Sequence, residues 1–203
     1  MTDTEMAMKR FDRASTLYDI FEQPMETMFL KKRRMEAAQG LGGKILEVGV
    51  GTGKNIPHYP GNADVTAIDF SQKMLLRAKG KAQKHHKSVK LLQMDAQKMD
   101  FPDDSFDTVY TTCVLCSIPD PVVGLREIKR VCKPGGTVVM IEHVRSENRL
   151  LGLMMDIMNP LCVRICGANI NRRTVENVRK AGFADFEAVN LAGDILKKIV
   201  IHN

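Results

Sequence analysis

The sequence has no tryptophan, three tyrosines and an aromatic content of only 5%. Single-strand nucleic-acid binders stack bases on aromatic platforms, so that class is disfavoured, and no nucleic-acid motif is present. Cysteine is also scarce. Five cysteines are an odd number, which does not suit a disulfide scaffold, and they read as reduced thiols of a cytosolic protein. Cys113 and Cys116 form one CxxC. Cys132, Cys162 and Cys166 supply no second pair of matched spacing, so no metal site is expected. The pair reads as small buried side chains at a strand end, with a redox role as the alternative. No stretch reaches the roughly 18 apolar residues of a membrane span. Met1–Met8 holds two acidic residues and no apolar run, so no signal peptide is expected there. Internal repeats and low-complexity tracts are absent.

What is present is ordinary in bulk. A length of 203 residues suggests one domain, large enough to bury a core without staples. Hydrophobic residues make up 44% and charged residues 27%, as in soluble globular proteins. Thirty basic against 24 acidic residues leave a net charge of +6, which makes an anionic partner worth considering. Thirteen methionines make much of the apolar surface adaptable.

Apolar runs of strand length occur at 44–49, 65–69, 89–94, 106–112 and 137–142. Helical patterns lie between them, at 72–84 behind a Ser71 cap and from Pro121 to about Cys132. Lys133-Pro134-Gly135-Gly136 reads as a tight turn. A helix starts near Asn171 or Thr174 and ends at Gly182. Two further strands, 184–190 and 196–202, are joined by about five residues, too few for a parallel crossover, so they form an antiparallel hairpin. Residues 5–39 read as helix broken near Pro24. Alternating strands and helices predict an α/β protein with a parallel sheet covered on both faces.

The most informative segment is Glu47-Val48-Gly49-Val50-Gly51-Thr52-Gly53-Lys54-Asn55. It follows a strand and opens a helix, where ligands bind in open α/β sheets. A dinucleotide fingerprint placed on Gly49 and Gly51 puts Lys54 where its third glycine belongs. A P-loop fails as well, because no Gly-Lys-Ser/Thr closes the loop.

The spacing Glu-x-Gly-x-Gly-x-Gly instead resembles the nucleoside loop of class I S-adenosylmethionine-dependent methyltransferases. Asp69 at the end of the second strand, Met74 beyond it and Asp95-Ala96 after the third strand match that family in order. So do Phe101–Asp107 (FPxxSFD), Leu125–Val131 and Lys133–Gly136. The resemblance covers roughly 11–143 well and the tail less closely. It implies a seven-stranded Rossmann-like sheet of order 3-2-1-4-5-7-6, with the last strand antiparallel, helices on both faces and an N-terminal helical cap. The expected division is a cap over 1–39 and a cofactor-binding core over 40–203, with a substrate-side insertion at about 145–170.

The resemblance also implies S-adenosylmethionine as cofactor, leaving as S-adenosylhomocysteine. Its expected contacts are Tyr18, Glu47, Gly49, Gly51, Thr52, Gly53, Asn55, Asp69, Phe70, Ser71, Met74, Asp95, Ala96, Thr112 and Cys113. Asp69 would accept the ribose hydroxyls. Met74 would pack on the adenine, and Asp95 with Ala96 would hold its amino group. Within the superfamily, Phe11–Asp19 (FDxxAxxYD) and Leu46–Gly53 (LEVGVGTG) look like the branch of quinone C-methyltransferases and bacterial phosphatidylethanolamine N-methyltransferases. By that resemblance Tyr18 reaches the cofactor's carboxylate end; otherwise it anchors a helix on the sheet. His143 is the candidate general base, or a structural histidine.

The stretch 150–166 is apolar, interrupted by Asp156, Pro160 and Arg164. It reads as an interfacial cap or pocket wall, or else as a buried helix with a basic rim. Lys9, Arg10, Arg13 and the basic run Lys31–Arg34 lie among apolar residues over 9–34, which suits an anionic membrane surface or a solvated helix face. The expected acceptor is amphipathic, with the amine of phosphatidylethanolamine first and a quinone ring or a thiol as alternatives. A non-catalytic, membrane-associated cofactor binder is the reading from a different class. Location at the inner face of a membrane goes with the lipid reading. Oligomeric state, acceptor atom and number of methyls are left open by the sequence.

Overall fold

The computed structural model describes residues 30–203. Of the expected N-terminal cap, only helix α1 (Lys31–Ala38) falls within these residues. The FDxxAxxYD segment, Tyr18 and the basic positions before residue 30 lie outside the described residues.

Seven strands form one sheet: β1 (Lys44–Val48), β2 (Asp64–Asp69), β3 (Lys90–Gln93), β4 (Phe106–Thr112), β5 (Cys132–His143), β6 (Phe186–Ala192) and β7 (Leu196–His202). Their spatial order is β3-β2-β1-β4-β5-β7-β6, as the resemblance implied. β1 to β5 pair in parallel, and β7 runs antiparallel to both β5 and β6. Four further helices connect them: α2 (Gln72–Lys84), α3 (Pro121–Val131), α4 (Arg149–Cys166) and α5 (Thr174–Lys180).

Successive strand residues point to opposite faces, so each central strand feeds two cores. Leu46, Val48, Val109, Val138 and Met140 pack with Leu125 and Ile128 of α3 and with Val178 of α5. Ile45, Tyr110, Val139 and Ile141 pack on the other face with Ala37 and Ala38 of α1 and with Leu75 and Ala78 of α2. Burying a large apolar side chain contributes roughly 1.5–3 kcal/mol, which makes these two layers the main source of stability.

Local chemistry sets the helix limits. Ser71 caps α2, its Oγ accepting the Met74 N–H at 3.2 Å. Asp120 accepts the N–H groups of Val122 and Val123, and Pro121 occupies the first turn of α3, where its missing donor costs nothing. Asn148 caps α4, and Gly167 closes it at φ 76°.

One expectation needs adjustment. Lys133–Gly136 is not a separate turn before β5 but an outpocketing within it. Phe106 pairs with Cys132 and Thr108 with Thr137, so the intervening residues leave the ladder with β4. They pair instead with the last residue: the Gly135 N–H donates to the Asn203 carbonyl at 2.6 Å, and the Asn203 N–H to the Gly136 carbonyl at 2.9 Å.

Candidate active site

The glycine loop leaves β1 at the carboxyl edge of the sheet. The N–H groups of Gly49 and Val50 both donate to the Ile68 carbonyl at 2.9 Å, which ties the loop to β2. Gly49, Gly51 and Gly53 all have positive φ, at 72°, 53° and 79°. The three differ in what surrounds them. A Cβ on Gly49 would lie 2.5 Å from Val114, and one on Gly53 would lie 2.7 Å from Ile56 and 3.0 Å from the Ala78 backbone. A Cβ on Gly51 would meet nothing within 4 Å. Two glycines therefore permit close packing, and the third borders open space.

That space is an open cleft at the carboxyl edge of the sheet, the place where ligands bind in open α/β folds. Of the residues expected to contact a cofactor, Gly49, Gly51, Thr52, Asp69, Phe70 and Met74 line it on the β1–β2 side. Asp95, Ala96, Thr112 and Cys113 line it from β3 and β4. Four others stand behind the wall. Gly53 packs under the loop, Ser71 caps α2, and Glu47 and Asn55 belong to a buried network described below. Tyr18 lies outside the described residues.

The buried Asp69 carboxylate accepts the Gly51 N–H through Oδ2 and the Ser71 N–H through Oδ1, each at 2.9 Å. It thus couples the glycine loop to the start of α2. Asp95 accepts the Gln97 N–H at 2.8 Å, an Asx turn that holds its carboxyl at the end of β3. Apolar side chains, among them Met74, Met94 and Ile118, complete the walls.

Arg34 and Thr112, which line the cleft, join it to a buried polar network that has no local signature in the sequence. Arg34 is only 4% exposed, although it belongs to the basic run that suggested a surface. Its Nη1 donates to Asn55 Oδ1 at 3.0 Å and to Thr112 Oγ1. Asn55 Nδ2 donates in turn to Glu47 Oε1 at 2.6 Å and to Thr112 Oγ1 at 2.9 Å. Burial pushes the Glu47 carboxyl up to about 8, against the lowering effects of the Asn55 hydrogen bond and the Arg34 charge. Lys31 and Lys32 of the same run are exposed, because one helical face cannot turn inward without the other turning out.

A second buried acid, Glu142, supports the turn that follows Thr112 at the end of β4. Its carboxylate accepts the Thr111 hydroxyl at 2.8 Å and the N–H groups of Val114 and Leu115 at 3.1 Å and 3.2 Å. These bonds fix the turn in which Cys113 adopts a φ of 56°. Burial pushes Glu142 up to about 7, opposed by the same hydrogen bonds. In the sequence Glu142 stands at the end of the 137–142 run, and nothing local marks it as a buried acid.

His143 follows Glu142 and closes β5, but it does not line the cleft. Burial pushes its pKa below the usual histidine range. Cys113 and Cys116 are free thiols. Among the described residues no group of His, Cys, Asp and Glu is arranged to hold a metal ion.

The stretch 150–166 departs from the pocket-wall and buried-helix expectations, though not from the interfacial one. It is neither buried nor part of the cleft wall: its apolar side chains face outward, with Leu150 73% and Ile157 70% exposed. No helix among the described residues is long and apolar enough to cross a membrane.

A cradle of left-handed glycines bordering open space, two acids at adjacent strand ends and apolar walls between them fit a nucleoside-bearing ligand. The comparisons agree with this chemistry. A family model described as a methyltransferase domain matches residues 46–140. Over 142 residues the chain is 39% identical to a phosphatidylethanolamine N-methyltransferase of Cereibacter sphaeroides, covering 68% of this chain and 70% of that protein. It is 37% identical over 138 residues to a demethylmenaquinone methyltransferase of Staphylococcus aureus, covering 66% of this chain but only 56% of that protein. A solved S-adenosylmethionine-dependent methyltransferase from Thermotoga maritima superposes with a TM-score of 0.73, at 21% identity, over 97% of this chain and 99% of that one, which shows a shared fold. Fold, cleft and relatives thus converge, and the chain belongs to the S-adenosylmethionine-dependent methyltransferases.

Proposed function

We propose that this methyltransferase acts on an amphipathic acceptor, the primary amine of phosphatidylethanolamine. The observation that carries this reading is the 39% identity to the Cereibacter sphaeroides enzyme, which spans more than two thirds of both chains. The apolar helix α4, tied to the cleft loop, suits a lipid-like substrate.

S-adenosylmethionine, when bound, would supply an electrophilic methyl group carried on its sulfonium sulfur and leave as a neutral thioether. The protein therefore has no developing anion to stabilise on the leaving group, and positioning carries most of the acceleration. In our assignment Asp69 binds the ribose hydroxyls and Asp95 with Ala96 binds the adenine amino group. Met74 and Phe70 pack on the base. Gly51 and Thr52 give the backbone its close approach. Glu142 holds the Thr112–Val114 turn in shape from behind, and Arg34 with Asn55 braces Thr112 at the start of the same turn. Glu142 and Asn55 are positioning residues, while Arg34 also lines the cleft. The division into an N-terminal cap over 1–39 and a core over 40–203 belongs to the same reading, with Tyr18 closing on the cofactor from the cap.

An amine attacks only when neutral. Moving it from water into an apolar cleft lowers its pKa, because burial penalises the charged form. Burial keeps His143 neutral too, the state a base requires, and we assign it and Tyr18 to the acceptor side.

The test is transfer of a labelled methyl group into phosphatidylethanolamine dispersed in detergent micelles, with demethylmenaquinone and a small aliphatic thiol as parallel acceptors. The reading expects label in N-methylated phospholipid. Label in the quinone or the thiol, with none in the phospholipid, overturns it.

A further inference from the structure

We propose that α4 is a membrane-docking helix whose outward apolar stripe enters the interface of an anionic bilayer and brings the cleft mouth to the lipid surface. The proposal rests on the lipid-acceptor reading for its choice of partner. The stripe itself is independent of that reading.

Leu150, Leu153, Met154, Ile157, Met158, Leu161 and Ile165 recur at helical spacing and are 49–73% exposed. In a water-facing helix this polarity is inverted. Contiguous exposed apolar surface marks a contact site. The opposite side of α4 is where the helix is fastened. Met155 is buried. Asp156 is paired with Arg145 at 2.8 Å. Asn159 Nδ2 donates to Asn169 Oδ1 at 3.2 Å.

Charge selects the partner. α4 carries Arg149 near its start and Arg164 near its end, both exposed. Its only acid, Asp156, is the one held by Arg145. An apolar stripe with cations at both ends complements an anionic lipid surface. It does not complement itself. Two copies meeting stripe to stripe bring arginine to arginine whether the helices run parallel or antiparallel. Eighteen residues at 1.5 Å each make a helix about 27 Å long. It also contains Asp156, Asn159 and Pro160, and it is not apolar enough to span a bilayer, so it lies in the plane of the interface.

Position supplies the link to the cleft. The backbone N–H of Asn169 donates to the Cys116 carbonyl at 2.8 Å, and its side chain donates to the same oxygen at 3.1 Å. Asn169 is the residue that Asn159 of α4 holds. Cys116 sits between Val114 and Ser117, both of which line the cleft. A surface on which α4 rests is therefore one polar relay from the cleft wall.

The test uses the full chain and vesicles of phosphatidylglycerol with phosphatidylcholine, against phosphatidylcholine alone. Binding is read by cosedimentation and by hydroxyl-radical oxidation of Met154 and Met158. We expect binding to the anionic vesicles, and protection of both methionines only when vesicles are added. Ile157→Asp with Leu161→Asp should weaken vesicle binding about tenfold or more, and Arg149→Glu with Arg164→Glu should remove the preference for anionic lipid. Both pairs should bind S-adenosylmethionine as the parent does, which shows that they are folded. Vesicle binding unchanged in the aspartate variant overturns the proposal. So does protection of the methionines in a vesicle-free monomer, which means another part of the chain covers the stripe. Protection that follows dimerisation overturns it in favour of a second copy. Vesicle binding without methylation of phosphatidylethanolamine in micelles sinks the acceptor reading alone and leaves the docking surface standing.

Discussion

Gly51 and Gly53 lie two residues apart in the same loop, both with left-handed backbones, at 53° and 79°, and replacing each with alanine should do different damage. An L-residue held in that conformation costs roughly 1–2 kcal/mol, and both variants incur this. Gly53→Ala adds a steric clash, because its Cβ would stand 2.7 Å from Ile56 Cδ1 and 3.0 Å from Ala78 Cα. Ile56 is fully buried and Ala78 contributes backbone, so neither yields easily. Overpacking of this kind costs about 1–3 kcal/mol. Gly53→Ala should therefore lose roughly 3.5 kcal/mol, or about 10 °C in Tm for a chain of this size. Gly51→Ala meets no neighbour within 4 Å and should lose only about 1.5 kcal/mol, near 4 °C. Its methyl group enters the cleft instead, so affinity for S-adenosylmethionine should fall about tenfold or more. Gly53→Ala, still folded at low temperature, should stay within about threefold of the parent. Gly42→Ala is the control, with no positive φ and no neighbour within 4 Å; it should change stability by less than about 0.5 kcal/mol. Thermal unfolding and isothermal titration calorimetry measure both axes. A larger affinity loss in Gly53→Ala than in Gly51→Ala, or a smaller Tm loss, refutes the division of the loop into a packing glycine and a ligand-facing glycine.

Three other expectations can be checked alongside. Burial raises Glu47 to about 8 and Glu142 to about 7. The folded state then holds protons that the unfolded state releases above about 4.3, so this stability is present at low pH and is lost as pH rises through 7 and 8. Denaturation midpoints should fall from pH 7 to 9, a window above the depressed His143 titration, and should flatten in a Glu47→Gln, Glu142→Gln double variant; a rise in the parent contradicts the burial argument. Asp69→Asn cannot accept both the Gly51 and Ser71 N–H groups, and an orphaned buried donor costs about 1–3 kcal/mol, so both Tm and cofactor affinity should drop; retained affinity in titration calorimetry removes Asp69 from the binding role. His143→Gln should leave cofactor affinity unchanged, since the residue does not line the cleft. It should lower kcat about a hundredfold if general-base catalysis runs through it, and an unchanged kcat with an unchanged pH profile ends that assignment.

The parts legible in the sequence were those with a local signature. Ser71 before a helical pattern, and glycines between a strand and a helix, carry their meaning in adjacent residues, and both stand as expected. Short apolar runs located the strands, and the short 191–195 link identified the hairpin of β6 and β7. Arg34 and Glu142 were invisible for the opposite reason. Arg34 sits in a basic run and Glu142 at a strand end, and their burial is decided by which face of an element meets the rest of the chain. The segment 150–166 shows the same limit: its composition signals an apolar helix, but only the fastening of Asp156 and Asn159 determines which side looks out. Lys133–Gly136 has the residues of a turn. Its pairing with Asn203, far along the chain, makes it an excursion from a strand.

The insertion of β7 beside β5 bears on how the sheet is assembled during synthesis. The first five strands in chain order can pair as they emerge, but β5 acquires its second neighbour only from Leu196–His202. While the segment 144–195 is being made, Val138, Met140 and Ile141 stand along an open strand edge that the finished protein buries completely. An edge of that composition is a template for pairing with other chains. At translation rates of about 5–20 residues per second the exposure lasts several seconds. Over that interval the nascent chain is most exposed to misassembly, and slowed translation across residues 144–195 should raise its dependence on chaperones.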